Sequence, residues 1–308
     1  MDTEFASPAA TSDGASSTAA PFPPPARASA GAHFPSLEAY RAEYARSVAD
    51  PVGWWSAAAR RELQWSTPFS DGEAFAGGLA AGDARWFSDG TLNACVNAVD
   101  RHVAEGRGAA PAIHWEGDER GATRTISYAQ LLAEVCRVAG VMSVAGVRRG
   151  DVVAVYMPMV PELAFVMLAC ARLGAVHSVV FGGFSADALR DRIADAAAQW
   201  VFTATEGHRG GRPIPLRATV DTAVKQCACV RAVFVYRNGA AAPVEARAGG
   251  GALGGSAPAI VSMEEQLPLA RPYCPAVPVS AEDTLFLLYT SGSTGKPKGL
   301  AHATGGYL

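Results

Sequence analysis

The residues with the clearest chemical potential lie near the end of the chain, between Thr290 and Gly299. The segment reads Thr290-Ser291-Gly292-Ser293-Thr294-Gly295-Lys296-Pro297-Lys298-Gly299. Glycine allows backbone N–H groups to turn toward an anion. Hydroxyls donate hydrogen bonds to phosphate oxygens, and lysine supplies the compensating charge. These residue types at this spacing predict a site for a polyphosphate.

This segment differs from the phosphate loop of the Walker A type. That loop needs Gly-x-x-x-x-Gly-Lys-Ser/Thr, but Pro297 is the fifth residue after Gly292. The same proline disfavours the helix that normally begins after a Walker lysine. A flexible linker that happens to carry lysines is the alternative. The apolar run at 285–288 favours the binding site, because it predicts a buried strand directly before the segment.

The chain that leads to this segment alternates between strand-like and helix-like patterns. Strands are predicted at 152–156, 175–180, 200–203, 230–236 and 283–289, and helices from Pro161 to before Gly174, after Ser185 and at 218–224. A hairpin is predicted at 112–128. Strands and helices that alternate at this spacing form parallel βαβ units. The sequence therefore predicts an α/β fold with a doubly wound, mostly parallel sheet.

Helix boundaries carry specific local signals. Ser127 followed by Gln130 predicts a capping box at the start of a helix that ends at Gly146. Pro161 at a helix start and Gly174 just past its end predict the next helix.

The remaining sequence predicts three regions. Residues 1–33 are rich in Ala, Ser and Pro and are predicted to be a disordered extension. Residues 34–110 form an arm with helical patterns at 37–48, 54–62 and 92–104, and its scattered aromatic residues are expected to fix it to a globular body. Residues 111–308 form the sheet domain, interrupted by a Gly- and Ala-rich insertion loop at 238–259.

Composition excludes several functional classes. The chain has 308 residues, is 49% hydrophobic and 18% charged, and carries a net charge of −3, so no nucleic-acid or membrane-surface partner is expected. No apolar run reaches the length of a membrane span, and the first thirty residues have no signal-peptide core. The six cysteines have no metal-ligand spacing. We expect a cytoplasmic protein with reduced thiols.

The segment at 290–299 resembles the signature loop of the adenylate-forming enzymes. Further stretches are similar to the acetyl-CoA synthetases within that superfamily. They are Phe34-Pro35-Ser36-Leu37, Gly90-Thr91-Leu92-Asn93 with Asp100-Arg101-His102, Tyr156-Met157-Pro158-Met159, Val179-Val180-Phe181-Gly182-Gly183-Phe184-Ser185, and Arg209-Gly210-Gly211-Arg212-Pro213-Ile214-Pro215-Leu216. The resemblance covers residues 34–308 and implies the large N-terminal domain of that superfamily, here incomplete.

The resemblance implies the activity and the ligands. Acetate attacks ATP to give acetyl-adenylate and pyrophosphate, and CoA then captures the acetyl group. Residues 290–296, Lys298 and Gly299 are then expected to hold the ATP phosphates. The Mg²⁺ ligand is expected beyond the end of the chain, and no catalytic residue is expected within it.

The resemblance also implies a CoA site. It is expected at Phe181, Gly182, Gly183, Arg209, Gly210, Gly211 and Arg212. Two arginines suit the phosphates of CoA, and glycines allow its close approach. The alternative is that Gly182-Gly183 is only a turn between a strand and a helix and that the arginines are solvated.

The histidines are given ordinary roles. His102 and His177 lie in apolar patterns and are expected to be structural residues with hydrogen-bond partners. His302 follows the phosphate segment, and contact with a ligand is one of two interpretations of it.

Several functions remain open at this point. The first is acetate–CoA ligase, with propionate–CoA ligase as its variant. The second is a fragment that binds CoA or nucleotide without catalysis, and the third is a fragment that does not fold stably. The chain ends at Gly305-Gly306-Tyr307-Leu308. The acyl pocket, the ribose-binding Asp and the adenylation Lys of the family would follow, so we expect no acetate-dependent exchange between ATP and pyrophosphate.

Overall fold

The computed structural model describes residues 23–78, 80–239, 241–249, 257–290 and 297–308. The chain divides into two compact units, Met1–Trp54 and Trp55–Leu308. Residues 1–22 of the predicted extension lie outside the described residues. The rest of that extension contains one short helix, Ala26–Ala30, none of whose residues is buried.

The bounds of the elements are as follows. The helices are α1 Ala26–Ala30, α2 Leu37–Ala49, α3 Pro51–Glu62, α4 Tyr128–Ala145, α5 Pro161–Leu173, α6 Ala186–Asp195, α7 Leu216–Val224, α8 Met263–Gln266 and α9 Thr304–Tyr307. The strands are β1 Trp65–Thr67, β2 Phe75–Ala76, β3 Arg85–Trp86, β4 Thr91–Leu92, β5 Pro111–Glu116, β6 Thr123–Ser127, β7 Val152–Tyr156, β8 Val176–Val179, β9 Trp200–Ala204, β10 Gly207–Arg209, β11 Arg212–Ile214, β12 Ala232–Tyr236, β13 Ala259–Ser262, β14 Val279–Ser280, β15 Thr284–Thr290 and β16 Lys298–Ala303.

Helix α2 dominates the described part of the first unit. Ser36 caps it, because the Ser36 hydroxyl accepts a hydrogen bond from the backbone N–H of Ala39. The indole Nε1 of Trp54 donates to Glu43 Oε1 at 2.6 Å. The predicted helix at 37–48 is therefore confirmed to within one residue.

A seven-stranded sheet forms the centre of the second unit. Its strand order is β13-β12-β9-β7-β8-β15-β16. All neighbours are parallel except β15 and β16, which are antiparallel. The mostly parallel sheet predicted from the alternating pattern is confirmed.

The helices cover both faces of this sheet. Helix α5 leads from β7 to β8 in one direction along the sheet, whereas α6 leads from β8 to β9 in the other. Because such crossovers are right-handed, the two helices lie on opposite faces. Accordingly α4 packs with α5, and α6 packs with α7. The fold is doubly wound, as predicted.

The core between these layers is closely packed. The rings of Phe202 and Phe234 on neighbouring strands stack with centroids 4.4 Å apart and planes inclined by 7°. Cys136 and Cys170 are buried in this core. Strands buried on both faces read as continuous apolar runs, which is why the sequence predicted them.

The two edge strands of the central sheet were missed in the sequence. Strand β13 immediately follows the predicted insertion loop and pairs in parallel with β12. Strand β16 follows the phosphate segment, and four of its six residues are exposed. Residues 240 and 250–256 of the insertion loop lie outside the described residues, and its status as an insertion stays a prediction.

The arm contributes a second, smaller core. Phe69, Phe87 and Leu92 are buried there together with Ala281 from the sheet domain. Strand β14 of the sheet domain also pairs with β4 of the arm. Within the second unit, the arm residues are thus fixed by aromatic residues, as expected, but Leu92 lies in a strand rather than in the predicted helix. Helical turns of the π type follow at Val96–Asp100 and Val103–Arg107.

Helix α4 is 18 residues long and, by length and composition alone, apolar enough to cross a membrane. No helix of this kind was expected from the sequence. In the structure its residues Leu131, Val135, Val138 and Met142 are buried in the core. The helix therefore packs as a core helix.

The predicted capping box at the start of α4 is present. The Ser127 hydroxyl accepts from the backbone N–H of Gln130 at 3.3 Å, and the Gln130 side chain accepts from the backbone N–H of Ser127 at 2.9 Å. We expect Ser127→Ala to lower the free energy of unfolding by about 1 kcal/mol, because one N–H of the first turn loses its acceptor. Urea unfolding measures this change. Ser143→Ala near the other end of α4 is the control, and an equal effect there would contradict the capping role.

Candidate functional site

The predicted ligand residues that the structure describes converge on one edge of the central sheet. Strands β7, β8, β9 and β15 run parallel, so their carboxyl ends lie along the same edge. The chain leaves β7 toward one face and β8 toward the other. This arrangement opens a crevice between the two strand ends, which is where open α/β sheets bind ligands.

The segment Phe181–Gly182–Gly183 follows β8 at this crevice. The Phe181 side chain is 57% exposed. The hydroxyl of Tyr156, at the end of β7, donates to the backbone oxygens of Gly182 at 3.1 Å and Phe184 at 2.7 Å. A Cβ at Gly183 would lie 2.6 Å from the Phe181 ring, so this exposed ring can take its position only over a glycine.

The two predicted arginines lie on a short hairpin after β9. Gly210 and Gly211 have φ values of 57° and 73° and form its two-residue turn, which residues with a side chain rarely adopt. Arg209 and Arg212 are register partners on β10 and β11. Both are exposed, and neither guanidinium has a hydrogen-bond or ion-pair partner among the residues described. The backbone N–H of Gly211 donates to Asp118 Oδ2 at 2.8 Å.

Leu216 joins these two segments. A Cβ at Gly182 would lie 3.4 Å from Leu216 Cδ2, and a Cβ at Gly207 would lie 3.3 Å from Leu216 Cδ1. The turn after β8 and the arginine hairpin therefore approach the same leucine side chain. Gly182-Gly183 does form a turn between a strand and a helix, which was the alternative to a CoA site. The structure also brings this turn close to the arginine hairpin.

The phosphate segment has its two ends at the same edge. Thr290 ends β15 and Lys298 begins β16, and the two are register partners. Residues Ser291, Gly292, Ser293, Thr294, Gly295 and Lys296 lie outside the described residues. A Cβ at Gly299 would lie 2.9 Å from Tyr289 Cζ, so a glycine at 299 lets the tyrosine ring cross β16.

One of the two histidines assigned a structural role departs from expectation. His177 is buried, but its Nδ1 atom has no hydrogen-bond partner, so the predicted partner is absent among the described residues. Burial lowers the pKa of His177 to about 4. His102 does have partners: its ring lies 4.6 Å from that of Tyr128, and Arg107 contacts its Nδ1.

His302 lies in β16, and its ring stacks on Phe286 with centroids 4.4 Å apart. Its Nε2 atom is buried and has no partner among the described residues. Contact between His302 and a ligand stays a prediction.

A cavity of 740 Å³ lies at the ends of β9 and β12, next to α4 and α5, and none of the predicted ligand residues lines it. The ion pair between Arg124 and Glu162, 2.7 Å apart, lines it. Tyr236 also lines it, and its hydroxyl is buried without a partner in the described part of the chain. Burial, followed by the charges of Glu162 and Glu134, raises the pKa of Tyr236.

Within the described ranges no group of three or more His, Cys, Asp or Glu side chains could hold a metal ion. The polar donors that the described residues bring to the sheet edge are the Thr290 hydroxyl, the Lys298 side chain and the guanidinium groups of Arg209 and Arg212. These groups suit phosphates rather than a metal ion.

Sequence reasoning did not assign roles to Tyr156, Leu216 or Tyr289, which support the ligand segments. Tyr156 carries the one usable signal, a tyrosine at the end of an otherwise aliphatic strand run. Leu216 and Tyr289 look like ordinary core residues in the sequence, because their roles depend on glycines elsewhere in the chain.

Comparisons with known proteins place these observations in context. Residues 100–308 match the family described as AMP-binding enzyme, and residues 40–98 match the family described as acetyl-coenzyme A synthetase N-terminus. An acetyl-coenzyme A synthetase of Halorhodospira halophila is 48% identical over 93% of this chain and 42% of its own length. Acetyl-coenzyme A synthetase 2 of Pseudomonas putida is 48% identical over 88% of this chain and 40% of its own length.

A solved structure gives the same result for the fold. Acetoacetyl-CoA synthetase from Streptomyces lividans superposes with a TM-score of 0.70 at 25% identity, over 84% of this chain and 37% of that chain. The chain therefore spans about two fifths of the length of the curated relatives it matches, 40% to 42% for the two above.

Proposed function

This chain belongs to the family of AMP-binding enzymes, and from that premise we propose that it supplies the phosphate-binding and CoA-binding part of an acetate–CoA ligase. The observation that carries the proposal is the convergence of two ligand segments on one sheet edge. Phe181–Gly183 and the arginine hairpin both approach the Leu216 side chain. The phosphate segment begins and ends at the same sheet edge, on β15 and β16.

In the first step of the proposed reaction, an acetate oxygen attacks the α-phosphorus of ATP. The bond to pyrophosphate breaks, and acetyl-adenylate forms. Charge then develops on the departing pyrophosphate, where hydroxyl, backbone N–H and lysine donors stabilise it. In this chain those donors are Thr290, the loop residues 291–296 and Lys298. Mg²⁺ would supply further charge neutralisation, with ligands outside the described residues.

In the second step the CoA thiol attacks the acyl carbon, and AMP leaves. We assign the nucleotide end of CoA to Phe181, Gly182, Gly183 and the arginine hairpin. The exposed Phe181 ring offers a face on which an adenine base can stack. Arg209 and Arg212 offer exposed guanidinium groups, which have no partner among the described residues, to the phosphates of CoA.

Acetate is the proposed acid. The support is the names of the curated relatives, which are acetyl-coenzyme A synthetases at 48% identity. Propionate is the alternative acid, and a direct comparison of the two acids as substrates of the complete protein tests this choice. We further propose a cytoplasmic location and small-molecule partners only, namely acetate, ATP and CoA.

For these 308 residues alone we propose binding without turnover. The resemblance assigns the acyl pocket, the ribose-binding Asp and the adenylation Lys to elements outside them. Acetate-dependent exchange between labelled pyrophosphate and ATP is the test, and exchange by this chain would contradict the proposal.

The CoA assignment is tested by titration of the chain with CoA and with 3′-dephospho-CoA. We expect Arg212→Ala to weaken CoA binding about 10-fold, because one charge-assisted contact to a phosphate is lost. Arg61→Ala, which removes an exposed arginine far along the chain, is the matched control. Unchanged CoA affinity in Arg212→Ala and Arg209→Ala, with CoA bound by the wild type, would contradict the assignment.

A further inference from the structure

A group of side chains that the proposed reaction does not use lies between Phe181–Gly183 and the described ends of the phosphate segment. It consists of Phe184, Arg192, Asp195 and Tyr289, which we call the bridging cluster. The Arg192 guanidinium carbon lies 4.6 Å from the centroid of the Phe184 ring and 5.7 Å from that of the Tyr289 ring. The Tyr289 hydroxyl donates to Asp195 Oδ2 at 2.6 Å.

Each end of the bridging cluster touches a ligand segment. The Phe184 ring packs edge-on against Phe181 with centroids 5.8 Å apart. At the other end, Tyr289 directly precedes Thr290, and its ring lies over Gly299, which directly follows Lys298. Tyr289 therefore belongs to the strand before the phosphate segment, β15, and contacts the strand after it, β16.

The chemistry of Tyr289 fits a fixed hydrogen-bond donor. Burial, followed by the hydrogen bond to Asp195, raises the pKa of Tyr289 above its ordinary value. The phenol therefore stays protonated at neutral pH and donates to the Asp195 carboxylate. Arg192 and Asp195 both lie in the last turn of α6. The end of one helix therefore contacts both the ring face of Tyr289, through Arg192, and its hydroxyl, through Asp195.

We propose that Arg192 and Asp195 are positioning residues that, through Tyr289, hold Thr290 and Lys298 where a nucleoside triphosphate binds. This inference rests on the proposed function, because it assigns the triphosphate to Thr290 and Lys298. Neither α6 residue touches the ligand. Their effect is to fix the spacing of the β15–β16 pair at the sheet edge, because loss of the Tyr289 contact frees both strand ends.

The experiment measures MgATP and CoA affinities of the 308-residue chain by calorimetry, together with its melting temperature. The variants are Asp195→Ala, Tyr289→Phe, their double variant and the conservative Asp195→Asn. Asp187→Ala is the matched control, because Asp187 also lies on α6, is exposed and accepts a hydrogen bond from an arginine at 2.7 Å. Arg192→Gln tests the contribution of the contact between the Arg192 guanidinium and the Tyr289 ring.

We expect Asp195→Ala and Tyr289→Phe each to weaken MgATP binding about 3- to 30-fold. The double variant is expected to match the single variants, because both remove the same hydrogen bond. Asp195→Asn retains most of the affinity, since its amide oxygen still accepts from the phenol. In Asp195→Ala and Tyr289→Phe the CoA affinity stays within about 2-fold of the wild type, because these two residues contact neither Phe181 nor the arginine hairpin.

The outcomes separate the two claims. MgATP affinity unchanged in Asp195→Ala and Tyr289→Phe would overturn the positioning role alone. A parallel loss of MgATP affinity, CoA affinity and melting temperature would also overturn it, since that result indicates a merely structural role. If the wild type binds no MgATP, the phosphate assignment of the proposed function fails, and this inference fails with it.

Discussion

Replacing Arg172 with methionine is expected to lower the free energy of unfolding by about 3 to 5 kcal/mol. The Arg172 side chain is 5% exposed, and its guanidinium donates to both carboxylate oxygens of Asp100 at 2.9 to 3.1 Å. Methionine fills a similar volume but leaves the Asp100 carboxylate, 25% exposed, without its counter-charge. It also leaves the backbone oxygen of Cys274 without the donor it has from Arg172.

Urea unfolding of the chain measures this loss, and Arg149→Met is the matched control. Arg149 pairs with Asp283, but the two side chains are 52% and 35% exposed. An exposed ion pair contributes at most about 1 kcal/mol, because water and salt screen it. A loss below that value in Arg172→Met would show that the Asp100–Arg172 pair does not hold the arm on the sheet domain.

Arg172 also shows what the sequence could and could not predict. Its place in the last turn of α5 follows from the helix pattern between Pro161 and Gly174, and the structure confirms both ends. Its partner Asp100 lies 72 residues earlier in the chain. No local periodicity links the two residues, so the sequence could not predict this ion pair.

The same limit explains the missed strands. The core strands of the sheet are buried on both faces, which makes their apolar runs visible in the sequence. Strand β16 is an edge strand with four exposed residues out of six, and its pattern lacks that signature. Strand β13 follows Gly- and Ala-rich sequence and is only four residues long. Short edge strands owe their existence to the neighbour they pair with, which a local pattern does not contain.

The candidate site was predictable to the extent that chemistry resides in residue types. Glycines, hydroxyls and lysines at 290–299 indicate phosphate binding by themselves. The arginines of the β10–β11 hairpin needed the family resemblance, because isolated arginines are usually solvated. The supports of the site were not predictable. Tyr156, Leu216 and Tyr289 contact glycines that lie in other elements of the fold, and no local sequence pattern links them.

His177 gives the second large effect, a loss of stability in acid. Its folded-state pKa of about 4 lies below the ordinary value of 6.5, because burial disfavours the imidazolium. Between these two values the unfolded chain binds a proton that the folded chain does not. Stability contributed by the neutral form is therefore complete above pH 6.5 and falls as the pH drops toward 4.

The expected loss approaches about 1.4 kcal/mol per pH unit and totals about 3 kcal/mol at pH 4. Other groups titrate in the same range, so the measured quantity is the difference between the wild type and His177→Gln. Urea unfolding from pH 7 to 4 should show a steeper loss for the wild type, because glutamine does not titrate. His114→Gln, at an exposed histidine of β5, is the control. Parallel slopes for the wild type and His177→Gln would mean that the buried His177 imidazole is protonated in the folded protein without cost.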